Sequence, residues 1–245
     1  MTLNFSLGNV YGIDSIFEFL IIIVSLIIAY SAYKIYKILG DKKYKIFSLG
    51  FLALAVSFIF KILSNLTIFY RVRIEHVAFS FIGIMQWRYM ELFNFTSFIF
   101  YKIFYITGFL ILFFVITHTY KKDKVLTMMY FGIIAVLFSI YFNFIFHLTL
   151  VILLFFLIMH FYENYEKQKS KNAFLVFLAF LMMLISHTLF IFSDFNLIFY
   201  LAGEILLLIS FLNLLINQFK TERKMKKNNL NIKRIKQKNK LYSLQ

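Results

Sequence analysis

This sequence predicts an all-α fold: a polytopic membrane protein with seven transmembrane helices in one bundle, N-terminus outside and C-terminus inside. Three observations predict it. The first is composition. Of 245 residues, 62% are hydrophobic and the mean hydropathy is +0.81, against roughly 45–50% apolar residues in soluble domains. So large an excess cannot be hidden in one water-soluble core, and a bilayer must be the solvent. The second is the set of apolar runs near the length of about 20 residues that a spanning helix needs. The third is charge. Cytoplasmic loops carry an excess of Lys and Arg. Seven crossings from an outside N-terminus put 21 of the 26 basic residues on inner segments and only Arg71, Arg73 and Arg88 on outer ones.

The spans fall at about 13–33, 46–68, 96–116, 126–141, 146–162, 173–192 and 197–216. The opening stretch "MTLNFSLGNVYGID" has no basic n-region and leads into an apolar run too long for a signal peptide, so the first helix reads as retained. Asp14 suits its outer end. A basic turn with Lys34, Lys37, Lys42, Lys43 and Lys45 leads to the second span. The connection 69–95 contains "VAFSFIGIMQW", apolar but too short to cross, which reads as an outer interfacial or re-entrant segment with Trp87 at headgroup level, or as an extracellular cap. The fourth and fifth spans are short and nearly continuous. Merging them would leave six spans and export the ten basic residues of the tail, so they read as two. Residues 1–217 thus form the transmembrane domain and 218–245 a basic cytoplasmic tail, in the cytoplasmic membrane. Proline and cysteine are absent and glycine is sparse. No internal repeat or broken helix of the kind found in many carriers is evident, and disulfides, thiol catalysis and cysteine-ligated metals are excluded.

Glu18, Lys61, Lys102, His187 and Glu204 lie within the spans, and all five fall in the outer halves. At 1.5 Å per residue, Glu204 lies about 10 to 12 Å below the outer end of the seventh helix, with Lys61 at similar depth on the second. Ser57, Lys61 and Asn65 recur every four residues and share one face, as do Tyr200 and Glu204. Intramembrane charges face the bundle interior and pair with one another. A Lys61–Glu204 ion pair and a Glu18–Lys102 pair are therefore expected. Glu204, Lys61, Lys102, Glu18, His187, Asn65 and Tyr200 are candidates for an outward-facing ligand pocket. The alternative is structural: the charges lock helices two and seven, and Lys102 and Glu18 snorkel to the interface.

No HExxH, GxSxG or phosphate-cradling glycine loop is present, and the seventh helix has no lysine for a retinal Schiff base. No enzymatic function or metal site is predicted. No cofactor is expected either, although haem held by pairs drawn from His118, His147, His160 and His187 is a conceivable alternative. Asn4-Phe-Ser6 and Asn94-Phe-Thr96 match glycosylation acceptors on the outer side. The tail begins as a continuation of the seventh helix and becomes a basic segment. Lys220, Arg223, Lys224, Lys226, Lys227, Lys233, Arg234 and Lys236 suit the anionic lipids of the inner leaflet. Nucleic acid is not favoured as a partner. A homodimer or another membrane protein is.

Two stretches, "AYKIYKILGDKKYKIFSLGFLALA" and "YLAGEILLLISFLNLLINQ", resemble the seven-helix membrane input regions of archaeal and bacterial sensor histidine kinases and their stand-alone relatives. The resemblance covers about a fifth of the chain. It implies a membrane sensor module, and it points to Glu204 alone among candidate residues. Members usually continue into signalling domains. The tail here is too short for one, so a signal would leave through a partner. The expected function is a receptor-like or sensory module for a small or lipid-like ligand from the outer side. The alternatives are a small transporter or channel using Lys61 and Glu204, and an assembly subunit of a membrane complex.

Overall fold

The backbone of a chain surrounded by lipid must satisfy its own hydrogen bonds, which leaves helices as the choice for each apolar run. With no proline to remove a donor, those helices run long. The computed structural model describes residues 7–74, 81–117, 122–193 and 195–242, with side chains over 14–67, 89–117, 125–193 and 195–225. The described residues form seven helices and no strand: α1 Leu7–Leu39, α2 Lys42–Ile74, α3 Phe81–Thr117, α4 Lys122–Phe138, α5 Asn143–Gln168, α6 Lys171–Ile191 and α7 Leu197–Tyr242. Six contain stretches long and apolar enough to cross a membrane. The seventh, α4, has 17 residues, about 26 Å of helix against a hydrocarbon core of about 30 Å.

Short, capped turns join α1 to α2, α5 to α6 and α6 to α7. Gly40 adopts φ +72°, a conformation that costs glycine little. Its N–H bonds the Tyr36 carbonyl at 2.8 Å and closes α1. Asp41 then caps α2 by accepting from the Lys43 N–H at 3.0 Å. Lys169 closes α5 with φ 47°, and Ser170 caps α6 by accepting from the Ala173 N–H. Asn196 accepts from the Ile198 N–H at 3.0 Å and opens α7.

The helices close a ring in the order α1, α2, α3, α5, α6, α7 and back to α1. Helices α3 and α5 touch directly, and α4 packs on both from beyond their seam. Where α2 meets α3, Gly50 faces Gly108. A Cβ on Gly108 would stand 3.1 Å from the Gly50 carbonyl oxygen and 2.8 Å from the Leu54 side chain. Small residues at such crossings let backbones approach closely. A solid apolar core fills the ring around Phe51, Leu54, Phe58, Phe109, Leu150, Leu154, Phe180 and Phe211, each at most 1% exposed. Large apolar side chains such as Leu52, Phe131, Phe155, Ile198 and Leu212 point outward. That pattern suits a protein solvated by lipid.

Two helical boundaries fall beyond the apolar spans. Within the connection 69–95, α2 runs on to Ile74 and α3 begins at Phe81. Residues 75–80 lie outside the described ones. Likewise α7 continues as one helix through the basic stretch to Tyr242. Lys, Arg, Gln, Met and Leu are good helix formers, and no glycine or proline interrupts them there. Hydropathy marks where lipid contact ends, whereas a helix ends only where a cap or breaker stops it.

Candidate functional site

One end of the bundle, that of the α4–α5 and α6–α7 turns, gathers polar side chains from every helix of the ring. The cause is local spacing. Asp14 and Glu18 are four residues apart on α1, Lys61 and Asn65 four apart on α2, Tyr101 and Tyr105 on α3, and Tyr200 and Glu204 on α7. Four residues bring a helix back to the same face, so each helix presents a pair inward. Helices α5 and α6 add His147 and His187.

Lys61 is the hub. Its Nζ lies 2.5 Å from Glu204 Oε1 and 3.0 Å from Glu18 Oε1, and both carboxylate side chains are fully buried. Lys61 of α2 thereby ties α1 to α7. The Asn65 amide donates to both Glu18 oxygens, at 2.9 and 3.0 Å. Around the ammonium stand the rings of Phe58, Tyr101, Phe190 and Tyr200, with centroids 5.8 to 6.0 Å away. Such faces attract a cation through their quadrupoles. Asp14 belongs to the same group, where the charges of Glu204 and Lys61 and the Tyr200 hydroxyl all act on it. Asp14 is fully buried, yet neither of its oxygens, nor Glu204 Oε2, has a hydrogen-bond partner.

A second chain runs alongside. The Tyr105 hydroxyl and His187 Nε2 are 2.9 Å apart, and His187 Nδ1 lies 3.2 Å from His147 Nδ1. Between the two arrays is a cavity of about 150 Å³, with Lys61, Asn65, Tyr101, Asn143, His147 and Tyr200 among its walls. Ser64, on that wall too, donates to Asn94 at 2.5 Å. A cavity of that size holds a molecule of about six heavy atoms. Gly203 lets α7 close on α6 beside it, where a Cβ would stand 2.7 Å from the Phe190 ring. Its carbonyl accepts from Ser186 at 2.8 Å.

Of the residues singled out from sequence, Lys61, Glu204, Glu18 and Asn65 form the hub, with Tyr200 around it and His187 beside it. Lys102 is not among them, and the Glu18–Lys102 pair does not form. Lys102 Nζ instead donates to the Ser139 carbonyl at 2.9 Å and sits 3.9 Å from the Phe98 ring centroid. The reason is geometric. Lys102 lies one position round α3 from Tyr101, so it faces the end of α4, where unpaired carbonyls carry partial negative charge. Glu18 faces α2, where Lys61 and Asn65 meet it first. His147 and His187 bond each other, an arrangement that iron ligation through both would have to break. His160 is partly exposed beside Phe161, and His118 lies outside the described residues. Lys220, Arg223 and Lys224 are exposed on α7. The side chains of Lys226, Lys227, Lys233, Arg234 and Lys236 lie outside the described residues.

Sequence reasoning missed Asp14, whose four-residue spacing to Glu18 was the available signal. It also missed a polar cluster farther along α7. There Glu222 Oε2 accepts from the Ser31 hydroxyl at 2.8 Å, and Oε1 pairs with Lys34 of α1 at 3.2 Å. A lone acid in a basic stretch was its signature. No family model, curated protein or solved structure matches the chain.

Proposed function

We propose that the protein is a seven-span sensory module of the cytoplasmic membrane, N-terminus outside and C-terminus inside, that binds a small polar solute from the outer face. The observation that carries this reading is the double role of Lys61. It lines the cavity, and it holds α1 to α7 through Glu18 and Glu204. A solute that engages the ammonium competes with those two contacts, so binding changes what fastens α7. Helix α7 then runs without a break to the basic residues beyond Asn217, which offer a site for anionic lipid or a cytosolic partner. A ligand shifts an equilibrium only through differential contacts with its two states, and Lys61 supplies them. The resemblance of residues 32–55 and 200–218 to sensor-kinase input regions implies the same role.

A transporter would need a polar route onward. The Tyr105–His187–His147 chain favours that alternative, but it leads back to the cavity wall, and Phe51, Leu54, Phe109, Leu150 and Phe211 pack the ring.

The test uses the full chain in lipid nanodiscs and thermal shift with small carboxylates, amines, polyols and headgroup fragments of about six heavy atoms. Ser193 lines the cavity, and the expected result is a class of solute that raises the melting temperature of the wild type but not of Ser193→Leu, whose larger side chain takes up that space. A response unchanged in Ser193→Leu, or no response from any class, overturns the proposal. Liposome flux of a positive class separates sensor from transporter.

A further inference from the structure

The hub contains three buried carboxylates and one part-buried ammonium. The bookkeeping of donors makes the imbalance local. Glu18 is satisfied on both oxygens by Asn65, and on one of them by Lys61 as well. Glu204 receives Lys61 on Oε1 alone. That leaves three oxygens, both of Asp14 and Oε2 of Glu204, buried and without a donor. A buried acceptor left unmade carries its full desolvation cost, and an unpaired buried charge carries far more.

Among the described residues, no side chain nearby supplies the missing positive charge. Asp14 and Glu18 come from α1, Lys61 from α2, Tyr101 and Tyr105 from α3, His147 from α5, His187 from α6, and Tyr200 and Glu204 from α7. The imidazoles are engaged with Tyr105 and with each other. Lys102 is taken by the Ser139 carbonyl. Tyr200 lies close to Asp14 without closing a well-directed hydrogen bond. Nor do three acidic or imidazole side chains converge as metal ligands among the described residues. What remains is a proton. The charge of Glu204 acts on Asp14, and two carboxylates that feel each other in a low dielectric take up a proton between them, which makes the protonated one a donor.

We propose that Asp14 and Glu204 form a proton-binding pair, loaded from the bundle end that carries the α6–α7 turn. Loading forms one O–H bond on a carboxylate and releases nothing else. The pair then joins α1 to α7 beside the Lys61 bridge. Unloading leaves two adjacent negative charges and pushes the helices apart. This deepens the sensory reading, and rests on it only for which face is outer: the proton becomes a second ligand of the same seam.

Infrared spectra of the full chain in nanodiscs test it without added solute, so failure of the solute screen leaves this result intact. At about pH 7 exposed Asp and Glu are ionised, and a carboxylic-acid C=O band reports buried acids alone. The wild type should show that band, shifted by H/D exchange. Asp14→Asn should abolish it, because the asparagine amide brings its own N–H to Glu204. Asp41→Asn, in the exposed α1–α2 turn, should keep it. A wild type lacking the band, a band that persists in both Asp14→Asn and Glu204→Gln, or one removed by Na⁺ at fixed pH would overturn the proposal. If Glu204→Gln does not fold, Asp14→Asn decides alone.

Discussion

The seam between α1 and α7 is fastened by charge at both ends, in opposite ways. At one end Lys61 clamps Glu18 and Glu204, both carboxylate side chains fully buried and the lysine 13% exposed. At the other, Glu222, its side chain 11% exposed, meets Lys34, whose side chain is 42% exposed and open to solvent. Sixteen residues separate Glu18 from Lys34 along α1 and eighteen separate Glu204 from Glu222 along α7, so the clasps stand about 25 Å apart. A sealed ion pair has no water to fall back on, so removing one partner strands the other. A solvated pair exchanges its partner for water at little cost. The seam is therefore pinned at the cavity and adjustable at the basic end. That is the polarity a device needs if an event at the first end is to be read at the second.

The comparison breaks most visibly at Lys61. In Lys61→Met both carboxylates lose their cation, and a loss of about 3–5 kcal/mol is expected, seen as collapse of the folded monodisperse fraction in detergent. Adding Glu18→Gln and Glu204→Gln to Lys61→Met should recover much of that loss, because neither former partner of Lys61 then carries a charge to strand. Glu204→Gln alone comes next. It keeps a hydrogen-bond acceptor for Lys61 but not the charge, and should cost about 1–3 kcal/mol in the thermal unfolding of nanodisc-embedded protein.

The second buried lysine sharpens the contrast. Lys102 is 1% exposed and makes one hydrogen bond, to a carbonyl, with no carboxylate beside it among the described residues. Its replacement strands no charge. Lys102→Met should change stability by less than about 1 kcal/mol in either direction, measured in the same melt. Equal losses in Lys61→Met and Lys102→Met would show that burial alone, and not the paired carboxylates, sets the cost.

The two lysines also mark what was legible in the sequence. Lys61 and Glu204 were readable because lipid forces buried charges to pair, and a four-residue period says which neighbours share their face. Which charge faces which across helices is another matter. Lys102 meets Ser139 because α4 stands outside the ring and ends there, and no local pattern encodes that placement. Asp14 looked like the boundary of a span because hydropathy begins beside it, although α1 starts seven residues earlier at Leu7. Glu222 was visible as the single acid of the tail. Its role depends on the register of α7 against α1, a tertiary fact. Element number and type followed from composition and run length. The lengths of α2, α3 and α7 did not, because helix formers carry a helix beyond its apolar stretch.

The smallest expected effect tests the adjustable end. Glu222→Gln removes the charge that meets Lys34 and keeps an acceptor for Ser31. Exposed pairs are worth about 0.2–1 kcal/mol and are screened by salt, so the stability loss should be of that size and should shrink as NaCl is raised to about 1 M. The charge has a second consequence. With Glu222 neutral, the basic end of the bundle loses the negative charge beside Lys34 and draws an anionic headgroup more strongly, with Lys220, Arg223 and Lys224 exposed on the same stretch of α7. Glu222→Gln should therefore retain more anionic lipid through detergent exchange than the wild type, an increase that native mass spectrometry of the lipid adducts would count. A salt-independent loss of several kcal/mol in Glu222→Gln would mean that this end is sealed like the other, and the polarity argued for the seam would fall.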